Sequence, residues 1–517
     1  MRPGWEPQQL PPTLEGVLAA RIDLLPLKVA NTLHAASVIG RRLQMPLLQA
    51  VASDLEDLDE SLDELVEGGF LDSVPGVEEY TLVFHHALVQ DVAYSRLLRK
   101  RRRELHLRVA DAAELLYGAG EDTVDLLARH LYLGQAGARA VPYLLRAGER
   151  ACSLFANDEA IVHFRRAAEL APDDAEPQLR LGDLHELVGD YDEALRRYDA
   201  VRGSTNDVRA WQGIAATLRK QGKYIDALAT VDGAFATTAL RGQDLMPLWL
   251  EGGWTLSVIG RSDQAIDLLT AGLETTDGRR DAGVANVLIQ LARTESVDGR
   301  YSAAVEHAVQ AQQIAEELED LRALATTLRI SGGAYWWLDR LAEGRQAVER
   351  GLALAERVGS AEEIAACLLN LALIAKSAGE FEDAKGWEHQ AIEEFERAGN
   401  VTGRAQAYAN LADTLERAGE LDEALETCRR AQELAREIGY PHAIAATANT
   451  LACIELKQER FADAGATAEK AAALYLELGS EPVATEMFEL AAEAWEKAGE
   501  VGRARACTAR ARELAAA

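Results

Sequence analysis

The chain is poor in aromatic residues, which supply 6% of its 517 positions, and it holds only four methionines and five cysteines. A core of that composition is built from many small helical contacts, since Ala and Leu dominate. The cysteines, Cys152, Cys367, Cys428, Cys453 and Cys507, are odd in number and form no C-x-x-C pair. That excludes a zinc ribbon or a disulfide framework as the first reading and leaves small apolar fillers in a reducing compartment. No apolar h-region follows Met1 and no apolar run reaches 18 residues, so the expectation is a cytoplasmic protein with no membrane partner. Basic residues are outnumbered 54 to 84, for a net charge of −30. Such a surface repels phosphate backbones and anionic lipid, which makes nucleic acid a poor partner. Missing too are a Gly-x-x-x-x-Gly-Lys-Ser/Thr phosphate loop, a Gly-x-Ser-x-Gly elbow and a His-x-x-x-His pair. Close carboxylates such as Glu362-Glu363, Glu393-Glu394 and Asp422-Glu423 are expected by number alone among 84 acids, and at helix starts they complement the dipole. No catalytic site, metal or cofactor is expected.

What is present is a repeat. At about 100–200 residues per domain the length predicts three or four domains or one long array. The phrase Gly-x-aromatic/aliphatic-x-x-Ala recurs from Gly189 to Ala194, Gly222 to Ala227, Gly299 to Ala304, Gly379 to Ala384, Gly419 to Ala424 and Gly499 to Ala504. With weaker copies, its last small residue falls at 160, 194, 227, 265, 304, 344, 384, 424, 464 and 504. The spacing starts at 34 and settles at 40 for the last five steps. Twelve residues before each stands Gly148, Gly182, Ala215, Gly253, Ala292, Gly332, Ala372, Ala412, Ala452 or Ala492. Two small residues at a fixed offset let two antiparallel helices approach closely. Leu368, Leu371, Ala372 and Ala375, then Ala384, Ala391 and Phe395, give the helical apolar stripe between them. Gly359, Gly399, Gly439 and Gly479 stand where one unit hands over to the next, and suit a left-handed helix-closing residue. One such pair cannot bury its apolar face alone, so stacking is obligatory.

Residues 11–117 read differently. Helices are expected over 14–22, 29–39, 46–51 and 55–67, strands over 70–74 and 80–84 around Pro75-Gly76, then helices over 87–98 and 103–117. Helices followed by a two-stranded hairpin give the winged-helix order. The helix before the hairpin, from Asp54 to Glu67, carries eight carboxylates and no Lys or Arg. In a DNA-reading winged helix that element enters the major groove, where this one would be repelled. The basic run Arg99-Lys-Arg-Arg-Arg103 reads as a solvated turn or an intrachain salt-bridge patch, or else as a partner or nucleotide contact. Residues 1–120 hold 12 basic and 18 acidic groups, so a transcription activator ranks last.

The small-residue columns resemble the tetratricopeptide repeat family over about 140–517, with a further Ala often seven residues on, as at Ala167, Ala311, Ala391, Ala431, Ala471 and Ala511. The later 40-residue units depart from the family's usual length and imply helices longer by most of a turn. The segment from Leu10 to Pro26, Ala35-Ala-Ser-Val-Ile-Gly-Arg41, Phe84-His-His-Ala-Leu-Val-Gln-Asp-Val-Ala-Tyr94 and Arg103-Glu-Leu-His106 resemble the part after the ATPase core in bacterial signal-transduction ATPases. Such proteins often join a class III adenylate/guanylate cyclase, an ATPase, a winged helix and these repeats. The resemblance therefore implies an all-α protein: an N-terminal tail (1–10), a winged-helix domain (11–117), a helical linker (118–140) and a right-handed superhelix of about ten helix-turn-helix repeats (141–517). The role it implies is a non-catalytic protein-binding sensor arm, with an ATPase or cyclase domain in trans as a possible partner. His86 holds the family's Phe-x-His-Ala position, and so is where a nucleotide phosphate contact would be carried over; packing of the wing against the next helix is the other reading. Only about ten residues precede the winged helix, so a split or truncated ATP-dependent cyclase or ATPase is the alternative.

By the family's geometry the first helix of each unit lines a concave groove. Those positions hold Trp254, Asn286, Gln290, Arg293, Arg329, Trp336, Trp337, Asn370, Lys376, Asn410 and Arg417. Basic residues gather there although the chain is acidic, and Trp and Arg are the types that dominate binding hot spots. Asn370 and Asn410, one period apart, could clamp the backbone of an extended peptide. The competing expectation puts Trp336 and Trp337 in the core between repeats.

Overall fold

The helical period of the sequence becomes 27 α-helices in a computed structural model, which describes residues 12–74, 81–237, 240 and 244–515. The chain divides into two compact units, residues 1–243 and 244–517.

The first unit begins with α1 (Pro12–Asp23) and α2 (Leu27–Ile39). Next come β1 (Arg42–Gln44), α3 (Met45–Val51), α4 (Leu58–Glu67), β2 (Leu71–Val74), β3 (Thr81–Phe84) and α5 (Ala87–Ser95). The strands form an antiparallel sheet in the order β1-β3-β2, with Leu43 opposite Leu82 and Leu71 opposite Phe84. These four side chains alternate out of the pleat onto one face and are fully buried. β1 was not expected from the sequence. The expected tail at 1–10, the turn at Pro75-Gly76 and the strand start at Tyr80 lie outside the described residues.

α6 (Arg99–Tyr117) starts inside the basic run. Arg102 reaches back to the carbonyls of Tyr94, Ser95 and Leu97 at 3.0–3.3 Å and lies over the Tyr94 ring, closing α5. Arg108 makes two bonds to Asp54, at 2.7 and 2.8 Å, and Arg101 stands 4.0 Å from the same carboxylate. Asp54, before the hairpin, is thus met from after it by Arg108 and Arg101 within the chain. α7 (Val124–Leu133) follows, and its Leu127, Ala128 and Leu131 share one core with Leu33, Leu48, Leu65, Phe84 and Val109. Three repeats complete the unit: α8 (Val141–Ser153) with α9 (Asn157–Leu170), α10 (Ala175–Leu187) with α11 (Tyr191–Thr205), and α12 (Val208–Lys220) with α13 (Tyr224–Ala236).

Seven pairs make the repeats of the second unit. They are α14 (Met246–Val258) with α15 (Ser262–Glu274), α16 (Ala282–Val297) with α17 (Tyr301–Glu317), and α18 (Leu321–Trp337) with α19 (Leu341–Val358). Then come α20 (Ala361–Ala378) with α21 (Phe381–Arg397), and α22 (Val401–Ala418) with α23 (Leu421–Glu437). Last are α24 (Pro441–Lys457) with α25 (Phe461–Glu477), and α26 (Glu481–Lys497) with α27 (Val501–Ala515). α12 to α15 have 13 residues each, while α18 to α26 have 17 or 18, which is about one added turn per helix and explains the longer repeat.

The small columns sit where two helices of a pair cross. A Cβ on Gly332 would lie 2.3 Å from Val348, so only glycine admits that approach of α18 to α19. The turn inside each pair needs a left-handed residue: Gly379 and Gly419 supply it at φ 79° and 86°, but Asp339 and Glu459 hold it at φ 58° and 61°. In the second unit the first helices of neighbouring repeats pack on one another, as α14 on α16, α16 on α18, α18 on α20 and α22 on α24. No two second helices meet to the same extent among the described residues. A stack that is closer on one side bends toward it, so at these four junctions the first helices form an inner face.

Candidate functional site

Residues four, seven and eight apart share a face of a helix. On α16 that aligns Asn286, Arg293 and Val297, on α18 Arg329, Gly333, Trp336 and Trp337, and on α20 Asn370 and Ser377. Polar rungs tie these helices together. Arg329 Nε donates to Glu363 Oε1 at 2.6 Å, and Asn370 Nδ2 donates to the Arg329 carbonyl at 3.1 Å. Trp336 Nε1 donates to Ser377 Oγ at 2.7 Å. Further along, Lys376 Nζ meets Asp413 Oδ2 at 2.6 Å, and Arg417 Nε meets Oδ1 at 3.1 Å. Burial pushes the Asp413 carboxyl up, but the Lys376 charge and bond, helped by Arg417, outweigh it and hold the group below its usual range. Lys457 closes on Glu416 at 2.8 Å.

The eleven expected groove residues therefore separate. Gln290 is buried, with its Nε2 3.4 Å from Thr294 Oγ1 and 3.5 Å from Ser257 Oγ, so it joins two helices instead of facing a ligand. Lys376 is buried against Asp413 and is likewise committed. Trp336 is half-buried and packs on the cluster of Val348, Cys367, Leu371 and Ile374, as the core alternative had it. Trp337, 100° further round the helix, is 59% exposed. It stacks on Tyr301 with ring centres 5.1 Å apart and meets Trp336 edge-on at 4.6 Å. Asn370 spends its amide on the Arg329 carbonyl, while Asn410 accepts from Gln406 Nε2 at 3.0 Å and keeps its own donors. Arg329 and Arg417 are paired; Arg417, Trp254, Asn286 and Arg293 remain exposed.

Arg293 has no hydrogen-bond or ion-pair partner among the described residues. Its guanidinium lies below the ordinary arginine range, first because surrounding protein desolvates it and then because Arg329 is near; Glu363 opposes the shift weakly. Each other arginine with a resolved displacement is raised, and a carboxylate raises it.

The sequence reading missed Glu388 on α21. It is wholly buried at a position where other repeats carry Val348, Cys428 or Ala468. Burial pushes its carboxyl up to about 7 against the opposing pull of Lys376 and a 2.8 Å bond from Thr414 Oγ1. A charged letter in a column otherwise free of charge was the available signal. His86 is exposed and caps α5, its Nδ1 accepting from the Leu88 N–H at 3.2 Å, so it does not pack the strands against that helix. His85 bonds Asp72 at 2.9 Å. All five cysteines are free, and burial pushes the Cys367 and Cys428 thiols up to about 12. Among the described residues no group of three metal-ligating side chains forms, and no helix is long and apolar enough to cross a membrane.

Tetratricopeptide repeat family models match residues 155–218, 364–398 and 403–477. An uncharacterized protein of Rhizobium meliloti (strain 1021) is 34% identical over 162 residues, which is 30% of this chain and 15% of that protein. The match thus spans under a sixth of that relative's length. Among solved structures, the chain is similar to a signal transduction ATPase with numerous domains and a tetratricopeptide repeat sensor from Pyrococcus horikoshii. The TM-score is 0.50 at 14% identity, over 90% of this chain and 65% of that one. A Rap protein complexed with competence and sporulation factor matches with a TM-score of 0.49 at 16% identity, over 66% of this chain and 97% of that one. The chain carries tetratricopeptide repeats in a helical-repeat fold of that type.

Proposed function

We propose that the chain is a non-catalytic regulatory arm of a signal-transduction ATPase or cyclase system, and that it binds a protein or peptide on the inner face of its repeats. Residues 11–117 act as a winged-helix domain, joined through 118–140 to a right-handed superhelix over 141–517. The helix–strand–helix–helix–strand–strand order from α2 to β3 supports the winged helix. This domain docks on a nucleotide-binding domain supplied in trans, with exposed His86 available for a phosphate contact. The protein works in the cytoplasm.

One observation carries the reading: in the second unit the first helices turn Trp254, Asn286, Arg293 and Trp337 outward on one face while their polar neighbours are spent on rungs between repeats. Partly exposed indole and guanidinium groups are the usual anchors of a protein interface. Affinity capture with the full chain and with a Trp254→Ala/Trp337→Ala variant tests it. The expected result is a protein or peptide partner recovered by the first and lost from the second; equal recovery by both overturns the groove.

A second reading is favoured by the much greater length of the Rhizobium relative. The chain is then the C-terminal part of an ATP-dependent cyclase or ATPase whose catalytic domains lie on another chain. Micromolar ATP or ADP binding by calorimetry, abolished in His86→Ala, would move this reading ahead.

A further inference from the structure

We infer that the inner face around Arg293 takes an acidic peptide segment of a partner, one that presents a carboxylate and an apolar side chain roughly 6 Å apart. This rests on the protein-binding reading above and names the chemistry of its ligand.

The charge argument comes from what each cation on the face already has. Arg329 holds Glu363, Lys376 and Arg417 share Asp413, and Lys457 holds Glu416. Arg293 alone among these five is left without an anion, beside a second arginine whose own carboxylate is taken. Covering such a group with neutral protein would strand a charge away from water, whereas a carboxylate meets it with a charge-assisted, bidentate bond. The lowered guanidinium agrees with this crowding. In a chain of net charge −30, an uncompensated cation on the inner face selects for an anionic visitor.

The apolar part comes from a row beside it. Val258, Val297 and Trp337 occupy the same place in three successive repeats, five residues after Gly253, Ala292 and Gly332. They are 49%, 80% and 59% exposed. The next repeats put Ser377, Arg417, Lys457 and Lys497 there, so the row ends. Arg293 stands in the middle repeat, four residues before Val297 on α16, about 6 Å along the helix axis. A free anion would use the arginine and leave the row uncovered. Residues i and i+2 of an extended peptide match the separation at about 3.3 Å each.

The test uses the full chain and fluorescein-labelled synthetic peptides that alternate Glu and Leu through Ser spacers, read by anisotropy, with a Lys-for-Glu peptide as control. The acidic peptide is expected to bind, to weaken with added salt, and to lose about tenfold or more in affinity in Arg293→Glu. Arg322→Glu, an exposed change at the start of α18, should leave binding unchanged, and far-ultraviolet dichroism melts establish that both variants fold. Absence of acidic-peptide binding, or an undiminished affinity in Arg293→Glu, overturns the proposal. Tight binding of the lysine peptide that is lost in Trp337→Ala overturns the acidic assignment while keeping the inner-face reading. Partner capture that survives both Arg293→Glu and Trp337→Ala sinks that reading itself. Self-association abolished by Arg293→Glu would make a second copy the occupant and would also overturn the proposal.

Discussion

In the first two repeats of the first unit a ring fills the space between the two helices. Phe164 lies against Gly148 and Tyr198 against Gly182, where a Cβ would come within 2.3 and 2.5 Å of the ring. In the second unit the same two positions hold Gly332 with Val348, Ala412 with Cys428 and Ala452 with Ala468. Glycine facing a ring closes the first two repeats, whereas Ala412 and Ala452 face the small Cys428 and Ala468. The difference concentrates risk. A ring gathers most of a pair's burial in one residue, whereas the long helices spread it over many methyl groups.

The largest expected effect follows from that concentration. Tyr198→Ala removes a buried ring and its 2.7 Å bond to Asp183, and should cost about 3–5 kcal/mol. Cys428→Ala in the second unit should cost about 1 kcal/mol. Hydrogen exchange in α10 to α12 against α22 to α24 measures both, and equal losses would remove the contrast.

Acid should separate the two units next. In the first, His106 and His130 are buried with their Nδ1 atoms 2.9 Å apart, and the Tyr94 hydroxyl lies 2.8 Å from His106 Nε2. Burial, with smaller contributions from Arg129 and Arg102 at His106 and from His106 and Arg129 at His130, holds them down to about 4 and about 3. The unfolded chain binds these protons near the ordinary 6.5, so their contribution is full above that value and is lost as the pH falls toward 4 and 3. Glu388 has the opposite sign. Its folded value of about 7 exceeds the ordinary 4.5, so its contribution is full below 4.5 and lost as the pH rises through 7. Between pH 7 and 4.5, acid should loosen the first unit and tighten the second, by up to about 1.4 kcal/mol for each pH unit of displacement. Melting followed by exchange in each unit checks this, and Glu388→Gln should flatten the second response; a second unit that loosens with acid regardless would contradict it.

The smallest effect tests the turns. Asp339→Gly and Glu459→Gly relieve a left-handed backbone and should stabilise by up to about 1 kcal/mol, while Gly379→Ala should cost about as much. Denaturant midpoints report the change. A destabilised Asp339→Gly would mean that its side chain, and not its backbone, fixes that turn.

The repeats were legible because their signals are local and periodic: glycine at 379, 399 and 419 announces a helix end wherever it falls. β1 was hidden because three residues from Arg42 to Gln44 carry no alternation long enough to read, and pairing with β3 alone makes them a strand. The inner face was half legible. Arg293, Trp254 and Trp337 could be placed by repeat position, but Gln290 and Lys376 are withdrawn by partners 33 and 37 residues away, Ser257 and Asp413, whose identity no local window contains. Trp336 and Trp337 differ by one residue and by opposite environments, a distinction that 100° of helix makes and that a count of tryptophans does not.

The last five steps of the array share one length of 40 residues. A segment such as 384–423 could therefore be duplicated or excised whole, and each new junction would still bring alanine to alanine at an unchanged phase. Removing half of one would rotate every later helix out of phase with its neighbour. Change in this part of the molecule is quantised: its reach can grow or shrink by recombination in whole steps, while the first unit, with unequal steps of 34 and 33, offers no such increments.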